Sequence, residues 1–358
     1  MIYFLNIVAV IFLYVVLLGN KRCEKCPQRN KVIWILVSIH AILFRALANP
    51  ENFTDTNNYN IAFERVLKVD FADYFLSINP VLWGWGYGFQ LVQWLITLFT
   101  SDYQYQFFVF SILTLAPIFY FYKRCSHDPI FTVLFFLAYP SMYYMGIGVM
   151  RQHLSIAFCL LALLYFDRKS ISYVLTFIAV LFHPSSLIFI PFYIWNKVDV
   201  SRINTWKLIL MLSTCVIVFK AIISTVVSFI PRYEYATEEG SNNILPAALL
   251  GSFMFLSLKS GVSKKTYDKT EKVIINACYY GLFVALVALG QSGMGRLPLL
   301  FLYLLPVAIT FLRYRGVGTL VYRSYTIMIY ILIIYLIGKD TTWYEDYSFF
   351  WQPQVIYF

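Results

Sequence analysis

Apolar runs of about twenty residues, the length an α-helix needs to cross a bilayer, recur along nearly the whole 358-residue chain. They lie near 2–19, 31–48, 104–122, 129–148, 150–166, 206–230, 244–259, 273–290, 297–312 and 324–338. Hydrophobic residues make up 60% of the chain and charged residues 13%, which is more apolar surface than a soluble core can use. The sequence therefore specifies an all-α polytopic membrane protein, a single integral domain over 1–358. The first run has neither a basic n-region nor a small-residue cleavage site, so it reads as a retained helix.

The formal charge of +10 does not point to nucleic acid, because Lys and Arg cluster in short loops beside the apolar runs and not along one face. The loop "NKRCEKCPQRNK" (20–31) carries five basic residues against one acid, and "LKSGVSKKTYDKTEK" and "RYRGVGTLVYR" are similarly basic. Positive loops stay cytoplasmic. Two further apolar runs, 80–100 and 171–195, decide the rest of the topology. If each crossed once, the basic turns at Lys123–Arg124 and Arg168–Lys169 would both lie outside, against that rule. If each enters and returns on one side, the conflict disappears. Both contain the breakers such a path needs: Pro80, Gly84, Gly86 and Gly88 in one, Pro184 in the other. The expectation is about ten full transmembrane helices plus two broken, re-entrant elements, with both termini outside; twelve simple spans is the alternative. An external polar loop (49–79), an external loop (231–243) and an external aromatic tail (340–358) complete the plan.

Within this frame "GIGVMRQHLSIAF" (146–158) stands out, since a charge at the bilayer centre costs about 2.5–3.5 kcal/mol. Arg151 should open its helix at the outer face, which also carries Asp55, Arg232 and Arg296. Arginines ringing an outward cavity suit an anionic ligand, because the guanidinium fork matches phosphate oxygens and stays protonated. Arg151 and Arg296 are the leading candidates and Arg232 a weaker one; each could also be an interfacial arginine snorkelling to water. His183 sits at a helix break inside an apolar run, where a neutral imidazole could accept a hydroxyl proton. His153, two residues after Arg151, points elsewhere on the helix. Asp55, Tyr59 and Gln152 are candidates for sugar hydroxyls, although Asp also forms ordinary turns. "CEKC" (Cys23, Cys26) lacks a second pair, and no phosphate-binding glycine loop or Ser-His-Asp set is present, so no metal or cofactor is expected.

Four stretches, Arg45 with Asp55-Thr56-x-x-Tyr59, then "GIGVMRQHLSIAF…LLALLYFDRKS", "IAVLFHPSSLIFIPFYI" and "GMGRLPLLFLYLLP", resemble EpsG-like O-antigen polymerases of the Wzy type over 40–310. The resemblance implies a membrane glycosyltransferase of the bacterial inner membrane with its active site facing the periplasm. It would move the growing glycan from undecaprenyl diphosphate to a hydroxyl of an incoming lipid-linked repeat unit. Arg151 and Arg296 would pair with the diphosphate, and His183 would orient or deprotonate the acceptor. Asp55 and Tyr59 would bind sugar or shape the entrance, and a chain-length regulator would be a partner. The chain departs from its relatives at "GWGYGFQ", where a glutamate often precedes the glycine. A lipid-linked oligosaccharide flippase, a ligase-like transferase and an O-acyltransferase using His40 are the competing readings. The flippase should show repeated halves, and none is evident.

Overall fold

The computed structural model describes residues 27–49, 54–68, 86–198, 205–228, 244–260, 268–291, 294–314 and 318–339, with residues 70, 203 and 349. Among these the regular structure is helical, joined by an isolated antiparallel bridge between Ala48 and Phe349. The elements are α1 (Pro27–Ala46), α2 (Thr54–Val66), α3 (Tyr87–Thr97), α4 (Gln104–Cys125), α5 (Pro129–Ala138), α6 (Met145–Gly148), α7 (Met150–Leu164) and α8 (Lys169–Phe182). A 3-10 turn (Pro184–Phe189) follows, then α9 (Ile190–Trp195), α10 (Thr205–Ser228), α11 (Leu245–Lys259) and α12 (Lys269–Ala288). The chain closes with α13 (Leu299–Leu302), α14 (Leu305–Tyr314) and α15 (Thr319–Lys339). By length and composition α4 and α12 are long and apolar enough to cross a membrane, while α5, α7, α8 and α11 are apolar but shorter. The first apolar run, the loop 231–243 and most of the tail lie outside the described residues.

Two runs expected as continuous helices are broken. The run 129–148 stops at Ala138 and resumes only as the single turn α6, because the residue before Pro140 is steered away from helical backbone. The run 297–312 splits between α13 and α14, where Pro306 lacks the N–H that would reach the carbonyl four residues back, that of Leu302. A break strands backbone polar groups that apolar surroundings cannot satisfy. Here side chains take over: the Tyr122 hydroxyl donates to the Tyr303 carbonyl at 3.1 Å, and the Tyr303 hydroxyl donates to the Met142 carbonyl.

The segment 169–195 is a hairpin. After α8 ends at His183, the 3-10 turn and α9 run back along it, so that Tyr193 Oη lies 2.7 Å from both Ser172 Oγ and Thr176 Oγ1, near the start of α8. The Tyr193 ring also stacks on Phe166, which precedes α8, at 5.2 Å. The two legs of the segment therefore lie side by side, with the start of α8 next to α9.

The second breaker-rich run meets this hairpin from the other end. Gly86, at the start of α3, is pressed so close to the tip of α8 that a Cβ there would lie 2.1 Å from the Leu181 carbonyl oxygen and 2.6 Å from that of Phe182. Only glycine allows this approach. The far end of α3 leads to the start of α4, opposite the α4 end where Tyr120 bonds Tyr165 beside the start of α8. At 1.5 Å per residue, the 14 residues of α8 reach ~21 Å and the 11 of α3 ~16 Å, each short of a 30 Å apolar layer.

Within the expected external loop 49–79, residues 54–66 form α2. Buried amides fasten it: Gln93 Nε2 donates to the Tyr59 carbonyl (3.2 Å) and to Gln106 Oε1 (2.9 Å), and Gln106 Nε2 donates to Asn60 Oδ1 (3.0 Å). Each amide satisfies another, as burial away from water demands.

Candidate functional site

The helix breaks converge on the start of α7. That helix has 15 residues and reaches only ~22 Å, shorter than a 30 Å apolar layer. Arg151 occupies its first turn, half-buried, with its guanidinium 6.0 Å from the centre of the Tyr59 ring. Tyr59 is itself buried and lies against Phe89, ring centres 5.1 Å apart. It braces the guanidinium by a cation–π contact. Tyr59, expected to bind sugar or shape the entrance, thus packs as a wall behind Arg151.

Arg296 is exposed in the turn 294–298 ahead of α13. Gln152 Nε2 donates to the Arg296 carbonyl at 3.1 Å, so Gln152 ties that turn to α7. His183 stands at the tip of the hairpin, ending α8 and capping the 3-10 turn, where its Nδ1 accepts from the Ser185 amide at 3.2 Å. The Ser155 and Ser186 hydroxyls bond to each other and pin the tip to α7. The charges of Arg151 and Arg296 both bear on the His183 imidazole. Three candidates spaced over 146 positions of sequence are therefore brought to one place. Asp55 falls in the first turn of α2 with its side chain outside the described residues, and Arg232 lies outside them altogether.

Behind this cluster is a second one that sequence reasoning passed over. Arg45, singled out in the sequence only as part of the family resemblance, is 1% exposed and donates from Nη2 to the Gly146 carbonyl. Its Nε and Nη1 have no hydrogen-bond partner among the described residues. Tyr303 donates its hydroxyl proton to the Met142 carbonyl, so the His153 Nδ1 bonded to the same oxygen must be the donor. Arg45 and Arg296 both act electrostatically on His153. Gly146 permits this crowding, since a Cβ there would sit 2.6 Å from His153 Nδ1 and 3.0 Å from Arg45 Nη1. Pro140 and the glycines of "YPSMYYMGIGV" were the available signal for a broken turn; nothing local marks Tyr303.

Among the described residues no three His, Cys, Asp or Glu side chains converge as a metal site. Cys125, Cys159 and Cys278 are free and buried, where cysteine acts as a small hydrophobe.

Neither a curated protein nor a solved structure matches the chain. A family model described as the EpsG family matches residues 31–353, nearly the whole chain and all of the elements that build the cluster, and this membrane protein belongs to the EpsG family.

Proposed function

We propose that the chain is a repeat-unit polymerase: a glycosyltransferase that moves a growing glycan from undecaprenyl diphosphate to a hydroxyl of a second lipid-linked repeat unit. Family membership supports a role in polysaccharide biosynthesis on a lipid-linked saccharide. The observation that carries the finer reading is the convergence of Arg151, Arg296 and His183 at the meeting point of two broken helices. A diphosphate is already a capable leaving group, and its departure needs mainly fixed positive charge aimed at the developing anion. Arg151, braced by Tyr59, and Arg296, held through Gln152, supply that charge. Arg232 adds a further cation and Asp55 meets sugar hydroxyls in this reading. The family match lends no support to a chain-length regulator.

The site opens to the periplasmic side of the inner membrane, under about ten spans and two re-entrant elements. Labelling single cysteines at positions 123 and 168 from outside whole cells tests this topology: protection fits it, and reaction with an impermeant reagent restores twelve simple spans. The function is tested by deletion. Loss of a polymerase leaves lipopolysaccharide bearing a single repeat unit, whereas loss of a flippase leaves no exported unit.

A further inference from the structure

We infer that His183 acts as a hydrogen-bond donor to the departing diphosphate, and that the acceptor hydroxyl gives its proton to a diphosphate oxygen and not to an imidazole. This rests on the polymerase reading and assigns the chemistry of its proton.

The capping turn fixes the tautomer. Nδ1 of His183 accepts from the Ser185 backbone N–H at 3.2 Å and lies 2.7 Å from Ser185 Oγ. A backbone amide can only donate, so Nδ1 holds a lone pair, and the Ser185 hydroxyl must donate to it as well. A neutral imidazole has one ring proton, which must then be on Nε2. A general base needs a free lone pair within reach of the hydroxyl. The only lone pair of His183 is turned into its own backbone, and a second proton on Nδ1 would face the Ser185 N–H head-on. What the ring offers outward is Nε2–H, beside the charges of Arg151 and Arg296.

His153 is no substitute. Its Nδ1–H is committed to Tyr303, and its remaining lone pair on Nε2 lies on a side chain that is 0% exposed, out of reach of a sugar hydroxyl. Two arginines and an imidazole N–H together form a donor set complementary to phosphate oxygens. In the transfer, the C1–O bond to the diphosphate breaks with its electron pair going to the diphosphate oxygen. The C1–O bond to the acceptor forms, and the acceptor's proton moves to a non-bridging diphosphate oxygen and leaves with the polyprenyl diphosphate. No protein group changes its charge.

The test uses the full chain in detergent, a polyprenyl-diphosphate-linked repeat unit as substrate, and undecaprenyl diphosphate as a product inhibitor. His183→Gln keeps an N–H near the position of Nε2 but has no basicity; His183→Ala has neither. The expected result is that His183→Ala weakens undecaprenyl diphosphate inhibition about 10–100-fold, the range for a hydrogen bond to a charged group, while His183→Gln retains both inhibition and turnover within about tenfold. The inference is overturned if His183→Gln loses as much rate as His183→Ala, about 10²–10⁴-fold, with the inhibition constant unmoved. Should His183→Gln fail to assemble, the inhibition constant of His183→Ala decides alone, since removing a base would leave it unchanged. A wild-type chain that makes no polymer sinks the polymerase reading instead, and is distinguishable from either outcome.

Discussion

Arg151 and His153 are two residues apart on α7, yet they belong to opposite kinds of environment. Around Arg151 the charged groups are open: Arg296 is exposed, Arg151 and His183 are half-buried, and their partners are a ring face, a backbone turn and a capping amide. Around His153 everything is closed: Arg45 and Tyr303 are buried, and backbone carbonyls from the broken 139–149 segment are the acceptors. A helix turn rotates successive residues by about 100°, so one short stretch can serve a cavity on one side and a lock on the other. The difference teaches that polar residues inside an apolar chain are not of one kind. Those that satisfy broken backbone hold the architecture, and those on the more open side are the ones proposed above to meet a ligand.

The largest effect belongs to the open side. Arg151→Ala is expected to reduce polymerisation about 10²–10³-fold, the scale for removing one preorganised donor to a developing anion, with the protein's abundance in the membrane unchanged. Arg151→Lys should fail as well, because a point charge does not reproduce the fork. Ladder length on gels and rates in detergent are the readouts. Full rescue by lysine would mean that charge alone matters and would erase the distinction drawn here for the open cluster.

The closed side should respond in the opposite currency. Tyr303→Phe removes the hydroxyl that serves both the Met142 carbonyl and His153 Nδ1, leaving an acceptor and a donor buried without that partner. Each such loss costs about 1–3 kcal/mol. The expected result is a clear drop in melting temperature in detergent, with the inhibition constant for undecaprenyl diphosphate little changed. A variant that melts normally but binds product poorly would move Tyr303 into the open cluster.

How much of this was legible depended on whether a residue's role was local. Apolar runs and basic loops reveal an all-helical membrane chain because length and charge are properties of short windows. The hairpin at 171–195 could be read because the charge conflict at Arg168–Lys169 demanded a return path and Pro184 supplied its turn. The breaks near Pro140 and Pro306 were overlooked, as hydropathy averages across a proline without registering its missing N–H. Arg151, Arg296 and His183 stood out in the sequence because charge and imidazole are conspicuous in apolar surroundings, and the structure brings them near one another. Tyr59, expected to bind sugar or shape the entrance, and Gln152, expected to meet sugar, have contacts that only three-dimensional packing reveals, one under a guanidinium and the other against a backbone turn. Tyr303, one of 29 tyrosines, carried no local mark at all.

The smallest expected effect tests whether the hairpin's far leg belongs to either environment. Tyr193 Oη meets Ser172 Oγ and Thr176 Oγ1, but those hydroxyls already have acceptors of their own: Ser172 donates to the Ala162 carbonyl at 2.8 Å and Thr176 to the Ser172 carbonyl at 2.9 Å. The single Tyr193 hydroxyl proton is shared between two acceptors, so deleting it leaves no stranded donor and removes one hydrogen bond. Tyr193→Phe keeps the ring stacked on Phe166 and should cost about 0.5–1.5 kcal/mol, the net value of one hydrogen bond. Melting should shift slightly and polymerisation should stay near wild type. A large loss of activity would show that the leg's register reaches His183 at the tip, making the hairpin a lever between the two clusters instead of a passive support.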